Sequence, residues 1–334
     1  MRKRVKARDL KVGMHVILDM PWHQHPFFRN SFVLSSEGDI LRILNAGIDE
    51  VVVDMALCEV QPPAPVAAEE PEFPEHPEKV VSGQPAWNDG PLIPAELKEA
   101  IGNSRISPRE KAGIVRKSCL ILMERLLESP TAENIHTAKG AIYDVVDLMT
   151  SEEDLLQHLL EITSHDYYTY THSVNVGMLS VSLCKAVFGR SSDHNMRELG
   201  AAFFLHDLGK VRIDSSYINK PGKLTDEEMR QMMNHPVYGF DILNEAHELS
   251  EECKLVVLEH HERADGSGYP AALREDKIHV YARICSIADV YDALTSGRSY
   301  KKPIAPFPAL KVMKEEMLGH FQPELFEKFV RMFC

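Results

Sequence analysis

Two adjacent histidines, His260 and His261, lead directly into a glycine-rich loop. Imidazole is the commonest protein ligand for transition metals, and glycine lets the backbone approach a bound group closely. A second pair of ligand-type residues, His206 and Asp207, follows an apolar run. Ionisable side chains are costly to bury in an ordinary apolar core. The two pairs instead predict a metal site whose substrate comes close to the backbone.

Further histidines and aspartates recur beside apolar helical stretches in the same half of the chain. Asp289, for example, lies within the apolar run 284–294, where a carboxylate is costly to bury without a partner such as a metal ion. Taken singly, each histidine is explained by a hydrogen-bonded core residue, and each aspartate by a helix cap or an ion pair. Together they predict a metal centre. The candidate ligands are His172, His206, Asp207, His235, His260, His261 and Asp289.

Five imidazoles and two carboxylates are more ligands than one four-coordinate zinc ion uses. They suit two metal ions about 3.5–4 Å apart, with Asp207 as the bridging ligand. Nitrogen and oxygen ligands without a thiolate favour iron or manganese, and zinc, nickel and cobalt remain alternatives.

Cationic side chains near these ligands indicate a phosphorylated substrate. Lys210 follows Asp207 by three residues and lies on the same helical face if the helix continues. There it could stabilise charge on a phosphoryl oxygen, although a lysine at a helix end can instead serve the helix dipole. Arg298, Lys301 and Lys302 follow the last candidate ligand. They could bind phosphate or a guanine edge, unless they belong to a solvated loop.

Composition and charge limit the remaining classes of function. The formal net charge of -13 argues against broad binding to nucleic acid polymers or to anionic membranes. The six cysteines are scattered without a CxxC pair, which is typical of reduced thiols in a cytosol. No run approaches the roughly 18 apolar residues that span a bilayer. We therefore expect a cytoplasmic protein without a membrane span.

The chain divides into two folded parts joined by a linker rich in proline and glutamate, a composition that excludes regular structure. In the first part, β-branched runs at 16–18 and 51–53 predict strands, and 40–46 predicts a helical segment. The expected domains are a small α+β regulatory or partner-binding domain at 1–60, the linker at 61–97, a helical lead-in at 98–146 and a catalytic domain at 147–334.

After the linker the pattern is helical almost throughout. Ser107 and Pro108 form a helix start, because proline suits the first helical position. Apolar residues then recur with helical spacing in 141–149, 154–162 and 171–188. The sequence therefore predicts a mainly α fold, an all-α helical bundle with a small N-terminal α+β domain.

Several of these motifs resemble a known family. Residues 147–334 closely resemble the HD-GYP subgroup of the HD-domain phosphohydrolases, and the first 56 residues resemble the small domain of uncharacterised function that often precedes it. The resemblance implies an HD-type bundle that hydrolyses cyclic di-GMP to pGpG, and in some members on to GMP, through a hydroxide that bridges two metals. The matching residues are His206, Asp207, His235, Pro236, Gly239, Ile242, Leu243, His260, His261, Glu262, Arg263, Asp265, Gly266, Gly268, Tyr269, Pro270 and the run 289–296.

The resemblance also implies roles for individual residues. The seven candidate ligands would bind the two metals, Lys210 would contact phosphate, and Arg298 and Lys301 would hold the nucleotide. Asp166 and Asp292 would support the ligands or orient the substrate. The loop Gly268, Tyr269 and Pro270 would shape the site and contact other proteins, including diguanylate cyclases.

One position departs from the family pattern. Some members carry a glutamate four residues before the first ligand histidine and hold a third metal, whereas this chain has Tyr168 there. We therefore expect two metals and little conversion of pGpG to GMP. The alternatives are a weakly active receptor or adaptor and an HD-type oxygenase. The complete ligand set argues against the first, and the cations argue against the second. The choice between cyclic di-GMP and a mixed cyclic GMP-AMP, the native metal and the oligomeric state stay open.

Overall fold

The structure is a computed structural model that describes residues 2–18, 27, 31–46, 48–58, 90–163, 169–189, 191–218, 220, 222–296 and 303–333. The chain forms two compact units, Met1–Asp89 and Gly90–Cys334.

The first unit is a four-stranded antiparallel sheet with one helix. Its strand order is β1-β4-β2-β3, and Val16 of β2 lies opposite Val53 of β4. The elements are β1 (Arg2–Lys6), β2 (His15–Ile17), β3 (Ser31–Val33), α1 (Glu37–Asn45) and β4 (Glu50–Asp54).

Sequence explains β2, α1 and β4 directly. Val16 and Val53 are fully buried in the core of the unit, together with Ile43 of α1. The helix begins with a capping box, in which the side chains of Ser36 and Asp39 each accept a hydrogen bond from the backbone of the other. The strands predicted at 16–18 and 51–53 and the helix predicted at 40–46 are confirmed.

The edge strands β1 and β3 were not predicted from the sequence. β1 contains four cationic side chains and a single apolar one, Val5, so its alternation is hidden. β3 is three residues long. Both strands form because β4 and β2 offer unpaired backbone groups, which is tertiary context overriding local preference.

The second unit is helical, as predicted, and the mainly α fold class is confirmed. Within the described residues, no helix is both long enough and apolar enough to cross a membrane. Its helices are α2 (Ala95–Gly102), α3 (Pro108–Glu128), α4 (Ala132–Ser151), α5 (Glu153–Thr163), α6 (Thr169–Phe188), α7 (Met196–Phe204), α8 (Ser215–Ile218), α9 (Asp226–Met232), α10 (His235–Glu245), α11 (Glu251–Glu259), α12 (Val280–Thr295), α13 (Pro306–Glu316) and α14 (Pro323–Arg331).

α6 is the central helix of this unit. Residues 173–184 are all buried, and the helix packs against α3, α4, α5, α7, α12 and α14. Residues 173–184 include no charged side chain, which suits a helix enclosed by neighbours on every side. The predicted start of α3 is confirmed, because the Ser107 side chain accepts a hydrogen bond from the Glu110 amide and Pro108 occupies the first turn.

The helices before the HD-like motifs belong to the same bundle. α2 begins at Ala95, inside the segment 61–97 that the sequence predicted as linker. α3 and α4, which cover most of the predicted lead-in 98–146, pack against α5, α6 and α7. Residues 61–89 lie outside the described residues.

Two glycines allow a close backbone contact that positions the candidate ligands. The 3-10 helix Leu208–Arg212 packs on α10. A Cβ atom at Gly209 would overlap backbone atoms of His235 and Gly239, and one at Gly239 would lie 2.7 Å from a methyl group of Val257. This contact brings the segment that follows Asp207 against the start of α10.

Substituting Gly209 tests this contact. We expect Gly209→Ala to lower the free energy of unfolding of the helical unit by about 1–3 kcal/mol, because the added methyl overpacks backbone against backbone. A Cβ at Gly113 in α3 meets nothing within 4 Å. The control Gly113→Ala should therefore stabilise the helix by about 0.5–1 kcal/mol. Urea unfolding followed by circular dichroism measures both, and equal midpoints for wild type and Gly209→Ala would contradict the close-contact argument.

Candidate metal centre

His172 lies in the first turn of α6, where this helix enters the buried interior. Its ring faces α12, and its Nε2 lies 3.1 Å from Oδ1 of Asp289. The His172 side chain is 14% exposed, so one edge remains accessible. Packing of α6 against α12 thus brings together two candidate ligands that are far apart in the sequence.

His206 and Asp207 follow the end of α7. The chain turns at Leu205, and the wholly buried His206 places its Nδ1 2.8 Å from the carbonyl oxygen of Phe203. A carbonyl oxygen only accepts hydrogen bonds, so Nδ1 carries the proton and Nε2 offers its lone pair to the site. Such support of the far nitrogen is the usual arrangement for a metal-binding histidine.

His235 and His260 repeat this arrangement. His235 Nδ1 lies 2.8 Å from the carbonyl oxygen of Met232, and His260 Nδ1 lies 2.9 Å from that of Val257. Each acceptor precedes its histidine by three residues, as it does for His206. Three imidazoles therefore share one tautomer, set by the backbone of the preceding turn.

The Asp207 carboxylate lies between two groups of imidazoles. Its Oδ1 is 3.2 Å from His235 Nε2 and 3.9 Å from His260 Nε2. Its Oδ2 is 3.4 Å from His172 Nε2 and 3.5 Å from His206 Nε2. One carboxylate thus presents a different oxygen to each group.

Lys210 also contacts this carboxylate, with Nζ 2.5 Å from Asp207 Oδ2. α7 does not continue to Lys210, but the 3-10 helix that replaces it also aligns residues three apart. Burial opposes the charged form of Asp207, yet the neighbouring Lys210 and His206 hold its pKa well below its usual range. The lysine is 25% exposed, so it can also meet a ligand that enters the site.

The ligand atoms form two overlapping groups that fit divalent metal ions. His206 Nε2 and Asp207 Oδ1 are buried and make no hydrogen bond to a described residue, so both atoms are available for coordination. Nitrogen and carboxylate oxygen donors are suitable for such ions. Within each group the ligand atoms lie within 4.8 Å of one another: Asp207, His235, His260 and His261 form one, and His172, His206 and Asp207 form the other. Asp289 faces both, with Oδ2 3.5 Å from His261 Nδ1 in addition to its contact with His172.

Burial and neighbouring charges shift the pKa of His172 in the opposite direction from those of His260 and His261. Burial lowers the pKa of His260 well below its usual value and that of His261 to about 3. Burial also opposes a charge on His172, but hydrogen bonds to Asp289 and Asp292 raise its pKa to about 10. His260 and His261 are therefore neutral at neutral pH, which is the form that binds a metal.

Asp292 supports His172 from behind. Its Oδ2 lies 2.7 Å from His172 Nδ1, while its Oδ1 accepts hydrogen bonds from Asn175 and Ser296 at 2.8 and 2.9 Å. Asp292 is 1% exposed, so of its two predicted roles this placement favours support of a ligand over contact with substrate. Sequence reasoning missed Asn175 and Ser296. Asn175 follows His172 by three residues on α6, and Ser296 follows Asp292 by four residues at the end of α12. This helical spacing was the signal that could have identified both.

The loop that contains Gly268, Tyr269 and Pro270 covers the end of α11. The Tyr269 ring stacks on His261 with centroids 4.7 Å apart and an interplanar angle of 27°. Pro270 is exposed. Glu262, which the sequence analysis matched only as part of the motif, is 2% exposed and lies beneath this loop.

Some predicted residues cannot be placed. Asp166, Arg298 and Lys301, together with Tyr168 and Lys302, lie outside the described residues. Their roles as substrate contacts, and the expectation of two metals drawn from Tyr168, stay predictions.

Comparison with known proteins agrees with this geometry. Residues 154–325 match the HD domain, a range that contains all seven candidate ligands. Residues 2–151 match a domain of unknown function (DUF3391), which extends through α2 and α3 to the end of α4.

Two relatives illustrate the range of similar proteins. A cyclic di-GMP phosphodiesterase of Pseudomonas aeruginosa is 32% identical, and the alignment covers 99% of this chain and 76% of the relative. A 3'3'-cGAMP-specific phosphodiesterase of Vibrio cholerae is 36% identical over 55% of this chain and 35% of the relative. The similarity to the Pseudomonas protein therefore includes both compact units.

A solved structure has the same fold. An HDG"Y"P protein from Bdellovibrio bacteriovorus superposes with a TM-score of 0.59 at 15% sequence identity, covering 100% of this chain and 99% of that chain. The fold and the ligand set define an HD-domain protein. The motif from His260 to Pro270 and the similarity along nearly the whole chain narrow this class to one family. The chain belongs to the HD-GYP family.

Replacing Asp292 tests the support of His172. We expect Asp292→Asn to weaken metal binding by about 10–100-fold, because an amide cannot accept all three hydrogen bonds that the carboxylate receives. Titration with Mn(II) measures the dissociation constants. Asp276→Asn is the control, because that aspartate is exposed. Equal dissociation constants for Asp292→Asn and the control would exclude this role.

Proposed function

We propose that this protein is a metal-dependent phosphodiesterase that hydrolyses cyclic di-GMP to the linear dinucleotide pGpG. The observation that supports this most directly is the Asp207 carboxylate, which faces a different group of imidazoles with each oxygen and carries Lys210 beside it. Two ions that share a carboxylate are a recurrent arrangement for phosphoester hydrolysis.

The described side chains divide into two coordination sets under this proposal. Bound divalent ions would supply a nucleophilic water at neutral pH and would neutralise charge on the phosphate. The nitrogen and oxygen donors favour iron or manganese, with zinc, nickel and cobalt as alternatives. One set is His172, His206, Asp289 and Asp207 Oδ2, and the other is His235, His260, His261 and Asp207 Oδ1.

Lys210 is the described cation best placed to act on the substrate. Its ammonium group lies at the shared carboxylate and is partly exposed, so it can donate to a non-bridging phosphate oxygen. A fixed positive charge there stabilises the transition state more than the ground state, because negative charge on the phosphoryl oxygens increases during attack. Arg298 and Lys301 are proposed to hold the nucleotide, and Asp166 to orient it, from the family resemblance alone.

The names of the relatives suggest the order in which substrates should be tested. The Pseudomonas protein, similar along 99% of this chain, is named a cyclic di-GMP phosphodiesterase. The Vibrio protein, similar over 55%, is named 3'3'-cGAMP-specific. Cyclic di-GMP is therefore the first candidate and 3'3'-cGAMP the second. With Tyr168 in place of a third-metal ligand, pGpG is expected to accumulate.

Location and partners are also proposals. We assign the protein to the cytoplasm, because the described cysteines are free and its proposed substrate is an intracellular messenger. The exposed Pro270 of the Gly-Tyr-Pro loop and the nearby exposed Arg263 offer a surface for a diguanylate cyclase or another signalling protein.

Anaerobic turnover is the first test. Protein reconstituted with Mn(II) or Fe(II) should convert cyclic di-GMP to pGpG, with two ions per chain counted on the same sample. Tight nucleotide binding without product, at full metal loading, would contradict the enzyme and indicate the receptor or adaptor alternative.

The double variant His206→Ala with Asp207→Ala tests the site. We expect it to lose hydrolysis and metal binding, because it removes a ligand from one set and the carboxylate common to both. Helicity measured by circular dichroism should remain largely intact. Turnover at the wild-type rate would exclude these residues from the reaction centre.

Lys210→Met separates substrate stabilisation from metal binding. We expect kcat to fall by about 10²–10³-fold while the metal content stays at two per chain, because methionine removes the charge and does not take away a proposed ligand. Lys277→Met is the control, since Lys277 is exposed. Wild-type kcat in Lys210→Met would assign this lysine a purely structural role.

A further inference from the structure

One imidazole of the centre is held differently from the others. Four of the five are fixed by a hydrogen bond on Nδ1, either to a backbone carbonyl or to Asp292. The exception is His261. Its Nδ1 lies 3.5 Å from Asp289 Oδ2, and neither of its ring nitrogens is hydrogen-bonded to another described residue. Its orientation must therefore come from packing.

The rings of His260 and His235 pack against His261 with centroids 4.2 and 5.0 Å away, and the packing partner from outside the ligand set is Tyr269. Its ring stacks on the His261 ring at a centroid distance of 4.7 Å, and its backbone amide donates to the His261 carbonyl oxygen at 3.2 Å. The tyrosine thus touches both the ring and the backbone of His261. Contacts that hold the loop of Tyr269 in place therefore also help to orient the His261 ring.

The loop is fastened by Glu262, the residue directly after His261. The Glu262 carboxylate is 2% exposed and accepts hydrogen bonds from the amides of Ala271 and Leu273 at 2.7 and 2.8 Å. Between these donors Ala272 has a φ of 53°, a left-handed conformation that is unfavourable for alanine. That conformation turns the two flanking amides toward one anion, as in other anion-binding backbone nests.

The loop has little freedom once it is fastened. A Cβ atom at Gly268 would lie 2.5 Å from backbone atoms of His261, Glu262 and Arg263. The loop backbone therefore lies directly on the segment that bears the ligand. Tyr269 is enclosed between this contact on one side and the two Glu262 hydrogen bonds on the other.

We infer that Glu262 is a positioning residue for the metal centre: by holding the amides of Ala271 and Leu273 it keeps Tyr269 stacked on His261 and thereby orients that ligand. The inference rests on the proposed function only in assuming that His261 binds a metal. It assigns Glu262 a role through another residue, without contact to substrate.

Manganese binding with an electron paramagnetic resonance readout tests the inference. Metal-free full-length protein is titrated with MnCl2, and a coupled two-ion signal is expected in the wild type. Glu262→Ala and Tyr269→Leu should bind the second ion about 10–100-fold more weakly and show the six-line spectrum of a single ion. Glu262→Gln should be intermediate, because its amide offers one acceptor for two donors.

Two controls match these variants. Tyr269→Phe keeps the ring that stacks and should retain both ions. Glu275→Gln removes the same charge as Glu262→Gln, but from a side chain that is 43% exposed. It should also behave as wild type. A purely structural role for Glu262 would lower the thermal midpoint without changing Mn(II) affinity, and that result would overturn the inference.

The design also separates the inference from the proposed function. If Glu262→Ala fails to fold, Tyr269→Leu decides, because it leaves both Glu262 hydrogen bonds in place, and normal binding of two ions by it would overturn the inference. If the wild type binds two ions but hydrolyses no cyclic di-GMP, the proposed function fails, and weaker Mn(II) binding in the variants still supports the positioning role.

Discussion

The arrangement of the helical unit depends on one buried carboxylate, that of Asp207. Removing an ionised carboxylate from water costs several kcal/mol unless charges and hydrogen-bond donors replace the solvent. Here Lys210 and His172 bring positive charge to the carboxylate. The Nε2 atoms of His235 and His260 face it with lone pairs, which a bound cation would have to compensate. These groups lie far apart in the sequence, so the helices must approach closely. The contact between Gly209 and the backbone of α10 is the clearest result of that requirement.

The imidazoles around this carboxylate are oriented by three different physical means. A carbonyl oxygen of the preceding turn fixes His206, His235 and His260, which adds no requirement on side chains elsewhere. A carboxylate fixes His172, and aromatic stacking fixes His261. Backbone support is insensitive to substitution, whereas the other two depend on particular residues. Three of the five histidines are therefore oriented by backbone. The orientation of the other two, His172 and His261, depends on side chains that are not ligands.

The ligands could be predicted because each is a polar residue beside an apolar helical run, a pattern visible in one dimension. Their supports were harder to predict: the family resemblance left Asp292 with two possible roles, and Asn175 and Ser296 were missed. Asp292 and His172 are 120 residues apart, and Glu262 bonds to amides whose identity is irrelevant to the sequence pattern. In the fold, α2 was concealed by the proline- and glutamate-rich segment before it, and β1 by its cations. The sequence placed Lys210 and Asp207 on one face of a continuing α-helix, whereas in the structure a 3-10 helix brings the two side chains together.

The burial of residues 173–184 in α6 has a consequence for the dynamics of the unit. Backbone amides in a helix enclosed on all sides exchange with deuterium only when the surrounding structure opens globally, whereas exposed loops exchange through small local fluctuations. His172 and Asn175 lie at the start of this slowest-exchanging element, while Tyr269 lies on a loop beside the exposed Pro270. The two sides of the centre thus differ in how deeply their backbone is enclosed, and we expect hydrogen exchange to be slower on the side of α6.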